Sequence, residues 1–296
     1  MSKKTTTVED RYEYISSQHG GYWRDDFIDH NYLYNLYFPP EDFFRHCAEN
    51  LHQLVLNYPV GQSEIAHLTS MLIQQSPEHI AVGNGAAEFI KIIAGMNRQM
   101  IVPVPSFNEY VNGAPEGKVI EFPLQAPTFQ LDIDSFAKEA IRREARIAVV
   151  VSPNNPTSLL VPKAELIRLL KKLADHNCML IVDESFIDFA ENCESESLEN
   201  DIGDFQNLAI LKSMSKAYGI CGIRIGYLLT ANANFRAEVQ QGLHIWNING
   251  FAEEFLRRVP RYVEQFKTSC KKVREDRDEF YTLLSDIPGM VVYKPA

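Results

Sequence analysis

From about residue 80 the chain alternates short runs of aliphatic and β-branched residues with longer stretches whose apolar positions recur every three or four residues. That alternation predicts a parallel sheet whose strands are joined by crossover helices. Seven runs read as strands: "HIAVG", "QMIVPV", "GKVIEF", "RIAVVVS", "CMLIVDE", "NLAILKS" and "IRIGYLLT". Runs such as "AVVV" are apolar without alternating, as expected of strands covered on both faces. Helices are predicted over 86–95, 106–113, 134–144 and 162–176, the last with Pro162 in its first turn. Ahead of this block, 41–57 and 62–75 read as helices separated by the turn "YPVG"; after it, 250–285 reads as one long charged helix kinked at Pro260. No internal repeat or low-complexity tract interrupts the pattern. The fold class is α/β, a mostly parallel central sheet between helical layers.

Composition narrows the classes of function. With 296 residues, 45% of them hydrophobic, the chain can bury a sizeable core and exceeds the length at which one core stops growing, which predicts one large domain with a smaller companion. A formal charge of -10, with lysines and arginines dispersed, gives no footprint for nucleic acid. The five cysteines are odd in number and form no CxxC pair, which argues against a disulfide framework or a zinc site and for a reducing, cytoplasmic setting. The opening "MSKKTTTVEDRYEY" lacks an apolar signal region, and no run of about 18 apolar residues occurs, so neither secretion nor membrane spanning is expected. The acidic "ENCESESLEN" at 191–200 reads as a solvated loop, and no metal is expected.

Four pieces fall at predicted strand ends on one edge of the sheet, where open α/β sheets bind ligands. In "VGNGAAEF", small residues at Gly85, Ala86 and Ala87 leave the first amides of a helix open to an anion, although glycine here also suits a plain turn. In "VVVSPNNPTS", Asn155 before Pro156 can donate into the crevice or simply serve a turn. In "MLIVDESFIDF", Asp183 ends an apolar strand, so its carboxylate needs a partner: a protonated heterocyclic nitrogen, a helix cap or a structural ion pair. In "LKSMSKAYGICGIRIGYLLT", Ser213, Ser215 and Arg224 can hold a phosphate beside Lys216, whose amine, in a cationic neighbourhood, suits Schiff-base chemistry.

Taken in this order, the pieces resemble the fold type I pyridoxal-phosphate enzymes, class I/II aminotransferases of the histidinol-phosphate aminotransferase and threonine-phosphate decarboxylase kind. The resemblance runs from about Tyr58 to Tyr227. It implies a three-layer αβα fold and pyridoxal 5'-phosphate as cofactor. It assigns Lys216 as the Schiff-base lysine and proton shuttle, and Asp183 as the partner of the pyridine nitrogen. Asn155 is the expected donor to the phenolic oxygen and Phe107 of "PSFNEY" the expected ring-stacking residue. Gly85, Ala86, Ala87, Ser213, Ser215 and Arg224 make the expected phosphate cradle. Tyr58 of "LNYPVG" matches a tyrosine that reaches the neighbouring subunit's phosphate, which implies a homodimer with shared sites. The implied domains are 1–57, an amino-terminal segment with part of the small domain; 58–249, the large cofactor domain; and 250–296, a connecting helix and the start of the small domain.

Four departures accompany the resemblance. Phe186 stands where the family usually has a tyrosine that donates to the phenolic oxygen, and "DESFIDF" is closer to the threonine-phosphate decarboxylase branch. The turn reads "NPTS" in place of "NPTG", and "DHNYLYNLYFPP" matches the substrate-lining "N-x-N-P-L-G" region only loosely. The sequence ends at "VVYKPA", ahead of the family's small-domain sheet and its carboxylate-binding arginine, so the small domain is expected to be incomplete. The leading expectation is transamination between a small amine or amino acid, with or without a phosphate or phosphonate, and a keto acid. Decarboxylation of a phosphorylated amino acid and a non-catalytic cofactor-binding fragment are the alternatives. A nicotinamide-binding fold is disfavoured, since "GNGAAE" is not GxGxxG.

Overall fold

All seven predicted runs form strands, and their side chains alternate between two apolar layers. In the computed structural model, which describes residues 20–24, 28–30 and 33–296, the strands are β1 (Ile80–Gly83), β2 (Met100–Val104), β3 (Val119–Pro123), β4 (Ile147–Val151), β5 (Met179–Asp183), β6 (Leu208–Ser213) and β7 (Gly226–Leu229). They make one sheet in the order β1-β7-β6-β5-β4-β2-β3. Pairing is parallel from β6 to β3, whereas β7 runs against both β6 and β1. The edge strand β3 is partly exposed, and the strands between the two edges are almost wholly buried. "MSKKTTTVEDRYEY", and Asn31 and Tyr32 of the loosely matching segment, lie outside the described residues.

The chain divides into two units, Met1–Leu33 and Tyr34–Ala296. In the first, the described residues include a single helical turn, Tyr22–Arg24, with the Arg24 guanidinium 4.2 Å from the centre of the Trp23 ring. The second holds the sheet and the helices α1 (Glu41–Glu49), α2 (Leu51–Leu56), α3 (Gln62–Ile73), α4 (Ala86–Ala94), α5 (Glu109–Asn112), α6 (Ile133–Arg142), α7 (Lys163–Ala174), α8 (Cys193–Glu196), α9 (Met214–Ala217), α10 (Ala233–Gln241), α11 (Gly250–Arg258) and α12 (Val263–Ser285). One layer packs Val82, Val150, Val182 and Ile210 against Phe136 of α6, Leu166 and Leu170 of α7, and Phe255 of α11. The other packs Ala81, Val149, Ile181 and Leu211 against Phe89 and Ile93 of α4, Tyr110 of α5 and Val239 of α10. Each such large side chain contributes roughly 1.5–3 kcal/mol by leaving water.

Four helix expectations change. The 41–57 helix breaks at Asn50, whose side-chain amide donates to the His46 carbonyl at 2.9 Å and so competes with the helical ladder. The 106–113 helix shrinks to α5, because Ser106 is drawn aside to donate to Asn154 Oδ1 at 2.8 Å. Pro162 caps α7 in extended backbone instead of lying in its first turn. The 250–285 helix is divided by a tight turn at Val259–Tyr262 containing Pro260, which removes an amide from the ladder.

Candidate active site

The sheet places the sequence motifs in one row at its edge. Gly83 of β1 pairs with Gly226 of β7, and Gly226 pairs with Ser213 of β6. On the same edge, Asp183 of β5 lies beside Val151 of β4 and Leu211 of β6. Gly226 is required here: a Cβ would sit 2.8 Å from the Lys212 carbonyl oxygen and 2.9 Å from the Ala86 amide nitrogen.

The turn before α4 is built for close approach. Gly85 has φ +75°, and a Cβ there would fall on the Arg224 guanidinium. Arg224 itself holds a left-handed backbone, φ +62°, and donates to Ser215 Oγ at 3.2 Å and to the Cys221 carbonyl at 3.4 Å. Gly85, Ala86, Ser213, Ser215 and Arg224 therefore come together, with Ala87 exposed on the first turn of α4. That turn keeps unpaired amides facing outward at the positive end of the helix. The loop is braced from behind: the Asn84 amide donates to Glu88 at 2.6 Å, and Asn247 donates to the same carboxylate at 2.8 Å. Gln62 in turn donates to Asn247 Oδ1 at 2.7 Å.

Asp183 is 3% exposed. Its Oδ2 accepts from the Tyr110 hydroxyl at 2.8 Å and its Oδ1 from the Ser185 amide at 3.0 Å. Ser185 Oγ accepts from the Ser213 amide at 3.0 Å, which links this acid to the strand end that carries Ser213 and Ser215. Burial pushes the Asp183 carboxyl above the usual carboxylate range, and the Ser185 and Tyr110 hydrogen bonds pull it back. No cation pairs with it among the described residues and it caps no helix; its partners there are the Tyr110 hydroxyl and the Ser185 amide.

Lys216 lies on α9, half-buried, and its amine makes no hydrogen bond or ion pair among the described residues. It lies close enough to Cys221 that it and Arg224 draw that thiol down, against burial that pushes it up. Phe107 is half-buried against the second apolar layer, and Asn155 and Phe186 are half-buried. The Asn155 amide makes no hydrogen bond among the described residues, in contrast to Asn154, whose amide donates to the Pro105 carbonyl at 3.0 Å and to Thr157 at 2.8 Å. Tyr58 stands apart from this cluster: it is 77% exposed and stacks on Trp246 at 4.3 Å.

Sequence reasoning passed over Tyr110, Ser185 and the Gln62–Asn247–Glu88 brace. A signal for Tyr110 was present, since it follows Phe107 by three residues within "PSFNEY".

The family model for aminotransferase class I and II matches residues 56–296, and the chain belongs to this family. It is 39% identical over 281 residues to a CMP-5'-(3-aminopropyl)phosphonate synthase of Streptomyces rubellomurinus, covering 95% of this chain and 44% of that protein. It is 30% identical over 252 residues to an L-serine phosphate decarboxylase of Sulfurospirillum multivorans, covering 81% of this chain and 63% of that one. The fold superimposes on the histidinol-phosphate aminotransferase of Clostridium acetobutylicum with a TM-score of 0.79 at 26% identity, covering 91% of this chain and 80% of that one. The chain thus spans less than half of the first of these relatives and less than two thirds of the second.

Pyridoxal phosphate is the cofactor of this family, and the residues present fit it on three observations. The buried Asp183 carboxylate lacks a cation, as a protonated ring nitrogen requires. The cradle of Gly85, Ala86, Ser213, Ser215 and Arg224 offers hydroxyl, amide and guanidinium donors to one anion. The Lys216 amine is uncommitted beside that cradle. Among the described residues no helix is long and apolar enough to cross a membrane, and no cluster of three or more metal-ligating side chains occurs.

Proposed function

We propose that this chain carries the cofactor-binding core of an enzyme that decarboxylates a small amino acid bearing a phosphate or phosphonate. The observation that carries the reading is that a chain with an unpaired Lys216 amine near Arg224 and Cys221 also buries Asp183 with no cation partner among the described residues. The substrate class is supported by the relatives: the synthase is named for an aminopropyl phosphonate, the decarboxylase for serine phosphate and the aminotransferase for histidinol phosphate. Decarboxylation is favoured by Phe186, which leaves the phenolic oxygen without a tyrosine donor, as in the branch that "DESFIDF" resembles.

Pyridoxal phosphate, when bound, supplies an electron-accepting ring that stabilises negative charge at the substrate Cα. Asp183 would hold the positive charge at the ring nitrogen, and Tyr110 and Ser185 orient that carboxylate and favour its ionised form. Gly85, Ala86, Ser213, Ser215 and Arg224 would bind the cofactor phosphate, with the Ala87 amide beside them; Phe107 would stack on the ring and Asn155 would donate to the phenolic oxygen. Lys216 would be the covalent anchor of the cofactor and, when freed from it, the proton carrier beside Cα. As the bond from Cα to the carboxylate breaks and carbon dioxide leaves, the Lys216 ammonium returns a proton to Cα. Tyr58, exposed on the surface, serves the site of a second copy in a homodimer.

Transamination with a keto acid is the second reading, favoured by the family model and the histidinol-phosphate aminotransferase fold match. The deciding experiment supplies pyridoxal phosphate and a panel of phosphorylated and phosphonate amino acids, with and without 2-oxoglutarate. Carbon dioxide release without keto acid is the expected result. Amine exchange that requires keto acid establishes transamination instead, and a Lys216-dependent visible absorbance with no turnover supports a non-catalytic fragment.

A further inference from the structure

A buried asparagine that the chemistry above does not use reaches the turn that holds Lys216. Asn35 is 1% exposed, and its main-chain amide donates to the Lys216 carbonyl at 2.9 Å. Its side-chain amide donates to the Ala217 carbonyl at 2.9 Å and to Ser269 Oγ at 2.7 Å, while its Oδ1 accepts from the Tyr37 amide at 2.9 Å. α9 is one turn long, so its last carbonyls lack partners within the helix. Asn35 supplies a donor to two of them in succession.

The far side of this contact is α12. Ser269 Oγ donates to the Phe266 carbonyl at 2.7 Å, and the Phe266 ring stacks on Tyr218 at 4.1 Å, two residues beyond Lys216. The Tyr37 hydroxyl donates to Asp276 at 2.6 Å. Gly219, at φ +62°, closes the joint: a Cβ there would fall on the carbonyl oxygens of Asn35 and Phe38. The backbone of the lysine turn is thereby tied to α12 by hydrogen bonds through the Asn35 side chain, beside the Tyr218–Phe266 stack.

We infer that Asn35 is a positioning residue for Lys216, fixing the backbone from which the amine reaches its reaction partners. The amine has no polar contact of its own among the described residues, so its place is set by the backbone beneath it. Small displacements of a reacting group lower rates steeply. This inference rests on Lys216 being the lysine that bonds the cofactor.

The test uses the full chain with Asn35→Ala, Asn35→Asp, which keeps the shape and the main-chain amide on the Lys216 carbonyl but loses the side-chain donor to Ala217 and Ser269, and Ser269→Ala, which keeps both donors to the turn but frees the tether to α12. Three quantities are measured: the melting temperature, the rate at which the chain without cofactor gains visible absorbance on adding pyridoxal phosphate, and the pH midpoint of that absorbance. The two Asn35 variants are expected to gain absorbance about tenfold more slowly and to move the midpoint, with Ser269→Ala about threefold slower. Unchanged rates and midpoints alongside a lowered melting temperature overturn the inference, because a purely structural residue gives that result. If the Asn35 variants do not fold, Ser269→Ala decides: a wild-type rate overturns the inference and a slowed one supports it. Lys216→Ala is the control, since absorbance that survives it sinks the reading of Lys216 and leaves the Asn35 geometry untouched.

Discussion

The Tyr110 hydroxyl donates to Asp183 Oδ2 at 2.8 Å, and both side chains are sealed from solvent. Burial, then the Asp183 charge, holds the phenol well above its ordinary value, so it remains a donor at every working pH. Tyr110→Phe keeps the ring and removes the donor from a buried carboxylate. The expected cost is about 1–3 kcal/mol of stability near neutral pH, with weaker cofactor binding as the Asp183 carboxyl rises further. Thermal melts and an absorbance titration with pyridoxal phosphate check this. A variant as stable and as tight-binding as the wild type would remove Tyr110 from the site.

Gly85→Ala introduces a methyl group that falls on the Arg224 guanidinium, at a backbone φ of +75° that side chains disfavour. Cofactor affinity is expected to fall by roughly 2 kcal/mol, about thirtyfold in Kd. Gly117→Ala is the matched control, because Gly117 has nearly the same backbone, φ +74°, and nothing lies within 4 Å of a Cβ there. Equal affinities in the two variants would show that Arg224 is not held against Gly85 for an anion.

The strands were legible because most are apolar on both faces and all are bounded by turn residues, and the cradle was legible because Gly85, Ser213, Ser215 and Arg224 sit in local motifs at strand ends. The bonds that orient those groups were not. Tyr110 meets Asp183 across 73 residues and Asn35 meets Ala217 across 182, distances that no periodicity encodes. The break at Asn50 was hidden for another reason: its side chain competes with the ladder only after the backbone has already turned. The serine of "NPTS" was visible as a departure, but its backbone conformation was not.

That serine makes a stability prediction. Ser158 has φ +59°, a left-handed conformation that glycine adopts without strain, and its carbonyl accepts from the Ala296 amide at 3.0 Å. Ser158→Gly relieves the strain, partly offset by the greater freedom of glycine in the unfolded chain, for a net gain of roughly 0.5–1 kcal/mol. Ser158→Ala, which keeps a Cβ, should give no gain. Denaturant midpoints of the three proteins measure the difference, and a loss on going to glycine would contradict the strain.

Tyr58 is 77% exposed, and its ring stacks on Trp246, which itself holds φ +53°. If Tyr58 completes the site of a second copy, Tyr58→Ala on one subunit and Lys216→Ala on the other fall in the same site of a mixed dimer, leaving the other site whole. Equal mixing followed by subunit exchange is then expected to restore about a quarter of wild-type turnover. Activity no greater than the sum of the separate variants would place Tyr58 in its own subunit's chemistry or outside the site altogether.

Glu184, next to Asp183, gives the chain a pH-dependent stability. Its carboxylate accepts from Ser197 Oγ at 2.6 Å and from the Leu198 amide at 2.8 Å. Burial and then the Glu199 charge push it from 4.5 up to about 7, while Lys212 and the two hydrogen bonds pull it down. The folded chain therefore retains, between these two values, a proton that the unfolded chain has released. Stability falls as pH rises through that window and levels off above it, by at most about 3 kcal/mol. Glu184→Gln imitates the protonated acid at every pH: its oxygen accepts from Leu198, and its amide donates to Ser197. Melting temperatures from pH 5 to 8 should therefore fall for the wild type relative to this variant, which starts near the wild type at pH 5 and ends above it at pH 8. Parallel curves would mean that Glu184 titrates alike in the folded and unfolded chains, and a gap that closes with rising pH would mean that its proton is bound more weakly in the fold.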